Sequence, residues 1–317
     1  MQDPPDGFDR YARDGTLAWT RRGFLERVLA AVDGRLANGG AAAAAAPALP
    51  PGPARGRVAV VALPGEDGGP VAVRHYFRGG LLGRFVADVH LGAGRPFREL
   101  ALYERARRAG VPTLEPLGAV ARRAAGPLPL YRFDLVTRLV AGARDLGALL
   151  EDGLAASPPR RRRAVLEAAG RAVRALHDAG IAHADLNVKN LLIVVPAGDG
   201  GRGAGEGAEL GEGAGVGVGA GDPVSALVID LDRCQIGREG VAEGRRGQDL
   251  LRLYRSAAKL GHLIGRAVAS RADLLRFALG YCGEDRAGLE ALSAKARDYG
   301  ARLALHRLGW PARGPRP

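Results

Sequence analysis

The chain contains 317 residues, carries a formal net charge of +12 and has two cysteines, Cys234 and Cys282. Two cysteines do not make a disulfide framework, which favours a reducing compartment, and no apolar run reaches the ~18 residues that a membrane-spanning helix needs. Arginine supplies nearly all of the positive charge. A biased genome accounts for much of this usage, and the remainder suggests an anionic partner such as phosphate, nucleic acid or an anionic lipid surface.

The first part of the chain predicts a helix and a linker. Residues 1–15 are acidic and rich in proline, unlike a secretory signal, so we expect a cytoplasmic protein. Residues 20–37 place apolar side chains on one helical stripe, and residues 39–55 are rich in Ala, Pro and Gly. We therefore assign residues 1–54 to an N-terminal helix and linker.

The next part predicts a small β-rich lobe. Residues 56–77 read as two strands around a Gly-rich turn, and residues 130–140 read as another strand. Between them, residues 95–110 predict a helix that stops at its terminal glycine. We assign residues 55–140 to this N-lobe.

The remainder of the chain is mostly helical. Helices are predicted over residues 159–180, 247–264, 270–282 and 285–310. Two apolar strands, residues 191–195 and 225–234, interrupt them. We assign residues 141–317 to a larger C-lobe and predict an α+β protein of two lobes.

A Gly-rich segment separates these two strands. Residues 197–222 contain almost no large apolar side chain, so they cannot bury enough surface to offset the entropy of ordering. We predict a disordered insertion within the C-lobe.

A polar turn, "HADLNVKN", spans residues 183–190, between a predicted helix and a predicted strand. If the two apolar strands pair, Asp185, Asn190 and Asp230 emerge from the same end of the hairpin. Carboxylate and carboxamide oxygens suit Mg²⁺, and a second carboxylate can take a proton from an attacking hydroxyl. These are the parts that phosphoryl transfer needs.

The order of several blocks strengthens this interpretation. The chain resembles the lipopolysaccharide core kinases, and among them the 3-deoxy-D-manno-octulosonic acid (Kdo) kinases, over roughly residues 55–310. These kinases have the protein-kinase-like two-lobed fold. The resemblance lies in "VRHYFRGGLLGRF", "FRELALYERARRAGVPTLEPLGA", "YRFDLVTRLVAGARDLGALL", "HADLNVKNLLI", "LVIDLDRC" and "DLLRLYRSAAKL".

The resemblance implies roles for the residues of the polar turn. Asp185 would be the catalytic base that deprotonates the acceptor hydroxyl. Asn190 and Asp230 would hold Mg²⁺ on the nucleotide phosphates. His183 would be structural and brace the loop. Ala184 stands where protein kinases have an arginine, a departure that the family shares and that favours a small-molecule or glycolipid kinase.

The resemblance also implies a nucleotide site that involves the N-lobe. Glu99 matches the helix glutamate that pairs with the phosphate-anchoring cation, and Gly56 is the glycine expected to let backbone approach the nucleotide. Kinases of this fold usually anchor phosphate with a lysine, but the first lysine of this chain is Lys189. The matching position is Arg74, and arginine can bind phosphate bidentately.

We therefore predict an ATP- and Mg²⁺-dependent kinase of the Kdo sugar on a lipid A precursor, at the cytoplasmic face of the inner membrane. The alternatives are a kinase for another sugar, small molecule or protein, and a non-catalytic anion-binding scaffold. We expect no nucleic-acid partner, since no reading motif is present. The run Arg160–Arg163 is either a solvated helix face or a contact with anionic lipid headgroups.

Overall fold

The protein divides into two compact units. The computed structural model describes residues 3–37, 58–63, 69–77, 88–195, 224–237 and 240–307. One unit, called here the β-rich unit, comprises the described residues within Met1–Arg107 and Leu114–Ala141. The other, the helical unit, comprises Arg108–Thr113 and the described residues after Ala141. The predicted α+β fold is confirmed. The expected linker, residues 39–55, and the Gly-rich segment, residues 197–222, lie outside the described residues.

The β-rich unit is an antiparallel sheet with two helices. Its elements are β1 (Phe8–Arg13), β2 (Thr16–Arg21), α1 (Leu25–Ala37), β3 (Val58–Ala62), β4 (Pro70–His75), β5 (His90–Leu91), α2 (Gly94–Arg108), β6 (Pro116–Arg123) and β7 (Leu130–Arg138). Within the described residues the strand order is β1-β2-β6-β7-β4-β3, and β5 pairs with β7. Every one of these pairings is antiparallel.

The two helices cover opposite faces of this sheet. Successive side chains on a strand point to opposite faces. On β2, Ala18 joins a core cluster with Val28 and Val32 of α1. The next residue, Trp19, instead packs against Phe97 of α2, with ring centroids 4.9 Å apart. The sheet face to which a strand side chain points therefore decides whether it packs against α1 or α2.

The N-terminal residues differ from the prediction. The helix expected over residues 20–37 begins at Leu25, and residues 8–21 form the β1–β2 hairpin, which the helical stripe did not predict. Asp14 and Gly15 make the turn with positive φ angles of 49° and 73°. Asp-Gly is a favoured pair for a two-residue hairpin turn, because both central residues need φ > 0.

The helical unit carries three short strand pairings among its helices. Its elements are β8 (Arg144–Asp145), α3 (Leu146–Glu151), α4 (Pro159–Asp178), β9 (Ile181–His183), β10 (Leu191–Val194), β11 (Ser225–Val228), β12 (Cys234–Ile236), α5 (Glu243–Ile264), α6 (Arg271–Cys282) and α7 (Arg286–Arg307). In the described part of this unit, β11, β10 and β8 form one sheet and β12 pairs with β9.

Helix α4 leads directly into the polar turn. It has Pro159 at its start, and Gly180 follows its end with a φ of 77°. A first-turn proline and a left-handed glycine are the usual signals for a helix start and stop. The chain then runs through β9 into residues 183–190, so the end of α4 sets where the turn begins.

Candidate active site

Arg74 and Glu99 form an ion pair within the β-rich unit. On β4, Arg74 lies on the sheet face that α2 covers, and Glu99 lies on α2. Nη2 of Arg74 is 2.5 Å from each carboxylate oxygen of Glu99. The Glu99 side chain is fully buried, whereas 26% of the Arg74 side chain is exposed. The buried carboxylate therefore orients a cation that still reaches solvent.

A β-hairpin in the helical unit brings Asn190 and Asp230 to the same end of two strands. Strands β10 and β11 pair antiparallel, with Leu191 opposite Val228, as the sequence predicted. Asn190 comes just before β10, and its carbonyl accepts a 2.9 Å hydrogen bond from the N–H of Ile229. Asp230 is the next residue, so strand pairing places it beside Asn190.

Hydrogen bonds to the carbonyl of Asp185 shape the polar turn. Its oxygen accepts from Nδ2 of Asn187 and from Nδ2 of Asn190, each at 2.9 Å. The Oδ1 atom of Asn187 accepts from the N–H of Lys189 at 3.0 Å and caps a short 3-10 turn. Asp185 itself is half-buried, and Asn190 is 2% exposed. Because Nδ2 of Asn190 donates to Asp185, Oδ1 is the acceptor atom of this amide.

His183 connects the turn to the segment that carries Asp230. Its Nδ1 accepts from the N–H of Asp185 at 3.3 Å, and its Nε2 lies 3.1 Å from the carbonyl of Ile229. The proton therefore sits on Nε2 and is donated to Ile229. Burial lowers the pKa of His183, which keeps the ring neutral near pH 7. His183 thus lies under the turn and links it to the strand end.

Asp230 has an unusual backbone conformation. Its φ and ψ are 62° and 55°, in the left-handed region. Asp and Asn enter this region more readily than most residues, and outliers of this kind cluster at functional sites. The conformation ends β11 and starts a 3-10 turn, Leu231–Arg233.

Asp249 is a supporting residue that the sequence analysis missed. It lies on α5 and is fully buried, and its Oδ2 accepts from the backbone N–H of His183 at 2.7 Å. Its Oδ1 accepts from Nη1 of Arg252 at 2.7 Å, and Nε2 of His177 is 3.5 Å from Oδ2. An aspartate between apolar positions of an amphipathic helix was the available signal. Its partners come from other segments, so spacing alone did not reveal them.

The remaining predicted features are only partly accounted for. Gly56 lies outside the described residues. At the start of α4, Arg162 pairs with the buried Asp273 and Arg163 pairs with Glu167. Two of the four arginines in the run Arg160–Arg163 therefore form ion pairs with carboxylates of the same unit.

Asn190 and Asp230 offer oxygen ligands of the kind that Mg²⁺ prefers. Magnesium usually takes one or two protein ligands and completes its shell with water and substrate phosphates. Within the described residues, no group of three or more His, Cys, Asp or Glu side chains could hold a metal ion. Asn190 and Asp230 would supply two oxygen ligands, a number of protein ligands that Mg²⁺ commonly takes.

The sequence of this chain is similar to those of several known proteins. The profile of the "Lipopolysaccharide kinase (Kdo/WaaP) family" matches residues 55–205. A 3-deoxy-D-manno-octulosonic acid kinase of Photobacterium profundum is 31% identical over 212 residues, which cover 66% of this chain and 73% of that protein. The chain belongs to the lipopolysaccharide kinase (Kdo/WaaP) family.

Other members of the family match over a shorter stretch. The kinase of the same name from Vibrio cholerae is 36% identical over 126 residues, 38% of this chain and 50% of that protein. A Haemophilus influenzae kinase is 38% identical over 149 residues, 45% of this chain and 58% of that protein. The matches to these two relatives thus span between half and three-fifths of their length.

A solved structure titled "WaaP in complex with acyl carrier protein" is similar at 25% identity. The match covers 78% of this chain and 86% of that chain, with a TM-score of 0.44. Membership of the family, shown by the sequence matches, agrees with the α+β architecture that the sequence predicted. Among the described residues, no helix has the length and apolarity needed to cross a membrane.

Proposed function

We propose that this chain is an ATP-dependent kinase that phosphorylates a hydroxyl of the Kdo sugar on a lipid A precursor. The observation that carries the proposal is the polar turn. The backbone carbonyl of Asp185 binds Asn190, and the β10–β11 pairing sets Asp230 beside Asn190. Family membership supports the choice of Kdo as the acceptor sugar, and so does the similarity to proteins named 3-deoxy-D-manno-octulosonic acid kinase. Phosphoryl transfer relies mainly on positioning and charge neutralisation, which this arrangement can supply.

Asp185 acts as the base in this proposal. The backbone carbonyl of Asp185 accepts hydrogen bonds from the side-chain amides of Asn187 and Asn190. These bonds fix the backbone from which its carboxylate projects. It accepts the proton of the acceptor hydroxyl as the oxygen attacks the γ-phosphorus, and the bond from phosphorus to the ADP oxygen breaks. General-base catalysis of this kind contributes roughly 10²- to 10⁴-fold to a rate.

Asn190 and Asp230 hold Mg²⁺ in this proposal, through Oδ1 and a carboxylate oxygen. When bound there, Mg²⁺ neutralises charge on the nucleotide phosphates. The left-handed backbone of Asp230 turns the chain sharply at the strand end, which sets where this carboxylate begins.

Arg74 anchors the nucleotide phosphates, and Glu99 holds Arg74. A guanidinium keeps its charge at any physiological pH and has donors suited to phosphate oxygens. Because the Glu99 carboxylate is fully buried, cations from solvent do not compete with Arg74 for it, and it can orient the guanidinium. Replacement of Arg74 by Ala should mainly raise the KM for ATP, and Arg74→Lys should restore part of the affinity.

Labelled ATP and a panel of acceptors test the proposal. The panel comprises a Kdo-bearing lipid A precursor, its deacylated form, a heptose-containing core fragment, free Kdo and a generic protein substrate. We expect transfer to the Kdo acceptors, with at least a hundredfold loss of kcat in Asp185→Asn. Asp152→Asn, on a side chain that is 60% exposed, is the matched control and should retain the wild-type rate.

Each alternative has its own outcome in this assay. Transfer only to another sugar or to protein would overturn the proposed acceptor. Absence of Mg²⁺-dependent ATP turnover with every acceptor would indicate the non-catalytic scaffold. Full turnover by Asp185→Asn would refute the base assignment.

We further propose that the protein works at the cytoplasmic face of the inner membrane, where a lipid-linked acceptor would be presented. The net charge of +12 favours an anionic surface. Cosedimentation with vesicles that contain anionic phospholipid should fall steeply with added salt, because surface charges are screened. Equal recovery with neutral vesicles would contradict this attraction.

A further inference from the structure

Tyr76 reaches the buried carboxylate of Glu99 from the same side as Arg74. It follows β4, and its N–H continues the strand ladder by donating to the carbonyl of Phe133 at 3.1 Å. Residues two apart on an extended chain share a face, so Arg74 and Tyr76 both face α2. The Tyr76 hydroxyl donates to Oε2 of Glu99 at 2.5 Å.

The burial of this group makes the hydrogen bond important. Tyr76 is 4% exposed, and the Glu99 side chain is fully buried. A buried carboxylate is stable only when charge and hydrogen bonds compensate its lost hydration. Burial, followed by the charge of Glu99, raises the pKa of Tyr76 well above its usual value. The hydroxyl therefore stays protonated and remains a donor throughout the working pH range.

The aromatic ring of Tyr76 also contacts the cation itself. The guanidinium carbon of Arg74 lies 4.8 Å from the ring centroid, and that of Arg95 lies 5.2 Å from it. Phe133 packs edge-on against the same ring at 5.9 Å. Cations are attracted to the face of an aromatic ring, and the packing holds that ring in place. One side chain thus touches both members of the Arg74–Glu99 pair.

We propose that Tyr76 is a positioning residue for nucleotide binding, which acts through Glu99 and Arg74. This inference rests on the proposed function of Arg74 as the phosphate anchor. By donating to Glu99, Tyr76 shares the stabilisation of the buried carboxylate with Arg74. Without the hydroxyl, Glu99 would draw the guanidinium more strongly to itself, and Arg74 would interact less well with phosphate.

The substitution Tyr76→Phe tests the role, because it removes one oxygen and keeps the ring. A hydrogen bond to a charged group changes an equilibrium by roughly tenfold or more. We expect the KM for ATP, and the dissociation constant of MgATP measured by thermal shift, to rise about tenfold, with kcat changed less than about threefold. Ser270→Ala, which removes the capping box of α6, is the control for lost stability and should leave both nucleotide values unchanged.

A double-mutant cycle separates action through Glu99 from general damage. In a Glu99→Ala background the hydroxyl has lost its acceptor, so Tyr76→Phe should add less than about twofold to the MgATP dissociation constant. Additive effects would overturn the inference, as would a wild-type KM in Tyr76→Phe. A wild-type protein that binds no MgATP would instead refute the proposed function, and the inference with it.

Discussion

Substitution of Gly170 by alanine probes the closest contact between α4 and α6. A Cβ atom built on Gly170 would lie 2.2 Å from the carbonyl oxygen of Phe277 and 2.7 Å from the backbone nitrogen of Tyr281. The contact is reciprocal, since a Cβ atom on Gly280 would lie 2.2 Å from the carbonyl oxygen of Glu167. Each helix therefore uses a glycine to admit the backbone of the other.

Two opposing effects decide the result. Alanine in a helix interior is favoured over glycine by up to ~1 kcal/mol. Against this, the new methyl group would sit ~1 Å or more inside normal contact distance. The obstructing atoms are backbone and cannot rotate away, so we take the upper part of the ~1–3 kcal/mol range for overpacking. We expect Gly170→Ala to lower the free energy of unfolding by ~2 kcal/mol, or ~4–8 °C in Tm.

Thermal and urea unfolding of the whole chain measure this effect, with Gly244→Ala as the matched control. Gly244 lies in the first turn of α5, and a Cβ atom there would have no neighbour within 4 Å. Its substitution should therefore leave Tm unchanged or raise it slightly. Equal Tm values for the two alanine variants would refute the close helix contact.

Three further predictions concern the polar turn. Asp230→Gly should keep or raise Tm, since glycine adopts the left-handed backbone without strain. The same preparation should show phosphoryl transfer lowered at least ~100-fold if Asp230 holds Mg²⁺. Because burial lowers the pKa of His183, the unfolded chain binds a proton below about pH 6.5 that the folded chain does not. Stability should be full above that pH and fall as pH decreases, and pH-dependent urea unfolding of His183→Gln should show a shallower slope. Asp249→Asn removes the charge of a fully buried carboxylate that accepts a hydrogen bond from the partly exposed Arg252, so urea unfolding should report a loss of ~1–2 kcal/mol, accompanied by a lower kcat.

The N-terminal hairpin shows where the pattern in the sequence misled. An apolar stripe over residues 20–37 predicted a helix, and its later part is correct, since Val28 and Val32 are fully buried on α1. The Asp14–Gly15 pair was a local signal for the preceding hairpin, but each strand of that hairpin has only six residues, too few for a clear alternation pattern. What decided the matter was tertiary pairing, because β2 completes its hydrogen bonds with β6.

The polar turn was easier to predict than its supports. Asp185 and Asn190 are five residues apart, and one strand pairing brings Asp230 to them, so local patterns contained most of that arrangement. The contacts of Tyr76 with Glu99 and of Asp249 with His183 join residues 23 and 66 positions apart. No periodicity relates such positions, which is why these two supporting side chains were missed.

The sequence by itself determined the chemistry that was available. A polar turn between a helix and a strand supplied the oxygen donors, and the absence of lysine before Lys189 left the phosphate anchor to arginine. Composition could not decide which arginine, because arginines are abundant along the chain and alike in charge. Only strand alternation and the packing of α2 place Glu99 next to Arg74 and leave the neighbouring His75 on the opposite face, where its Nδ1 lies 2.9 Å from Asp134. This pairing supports Arg74 as the proposed anchor.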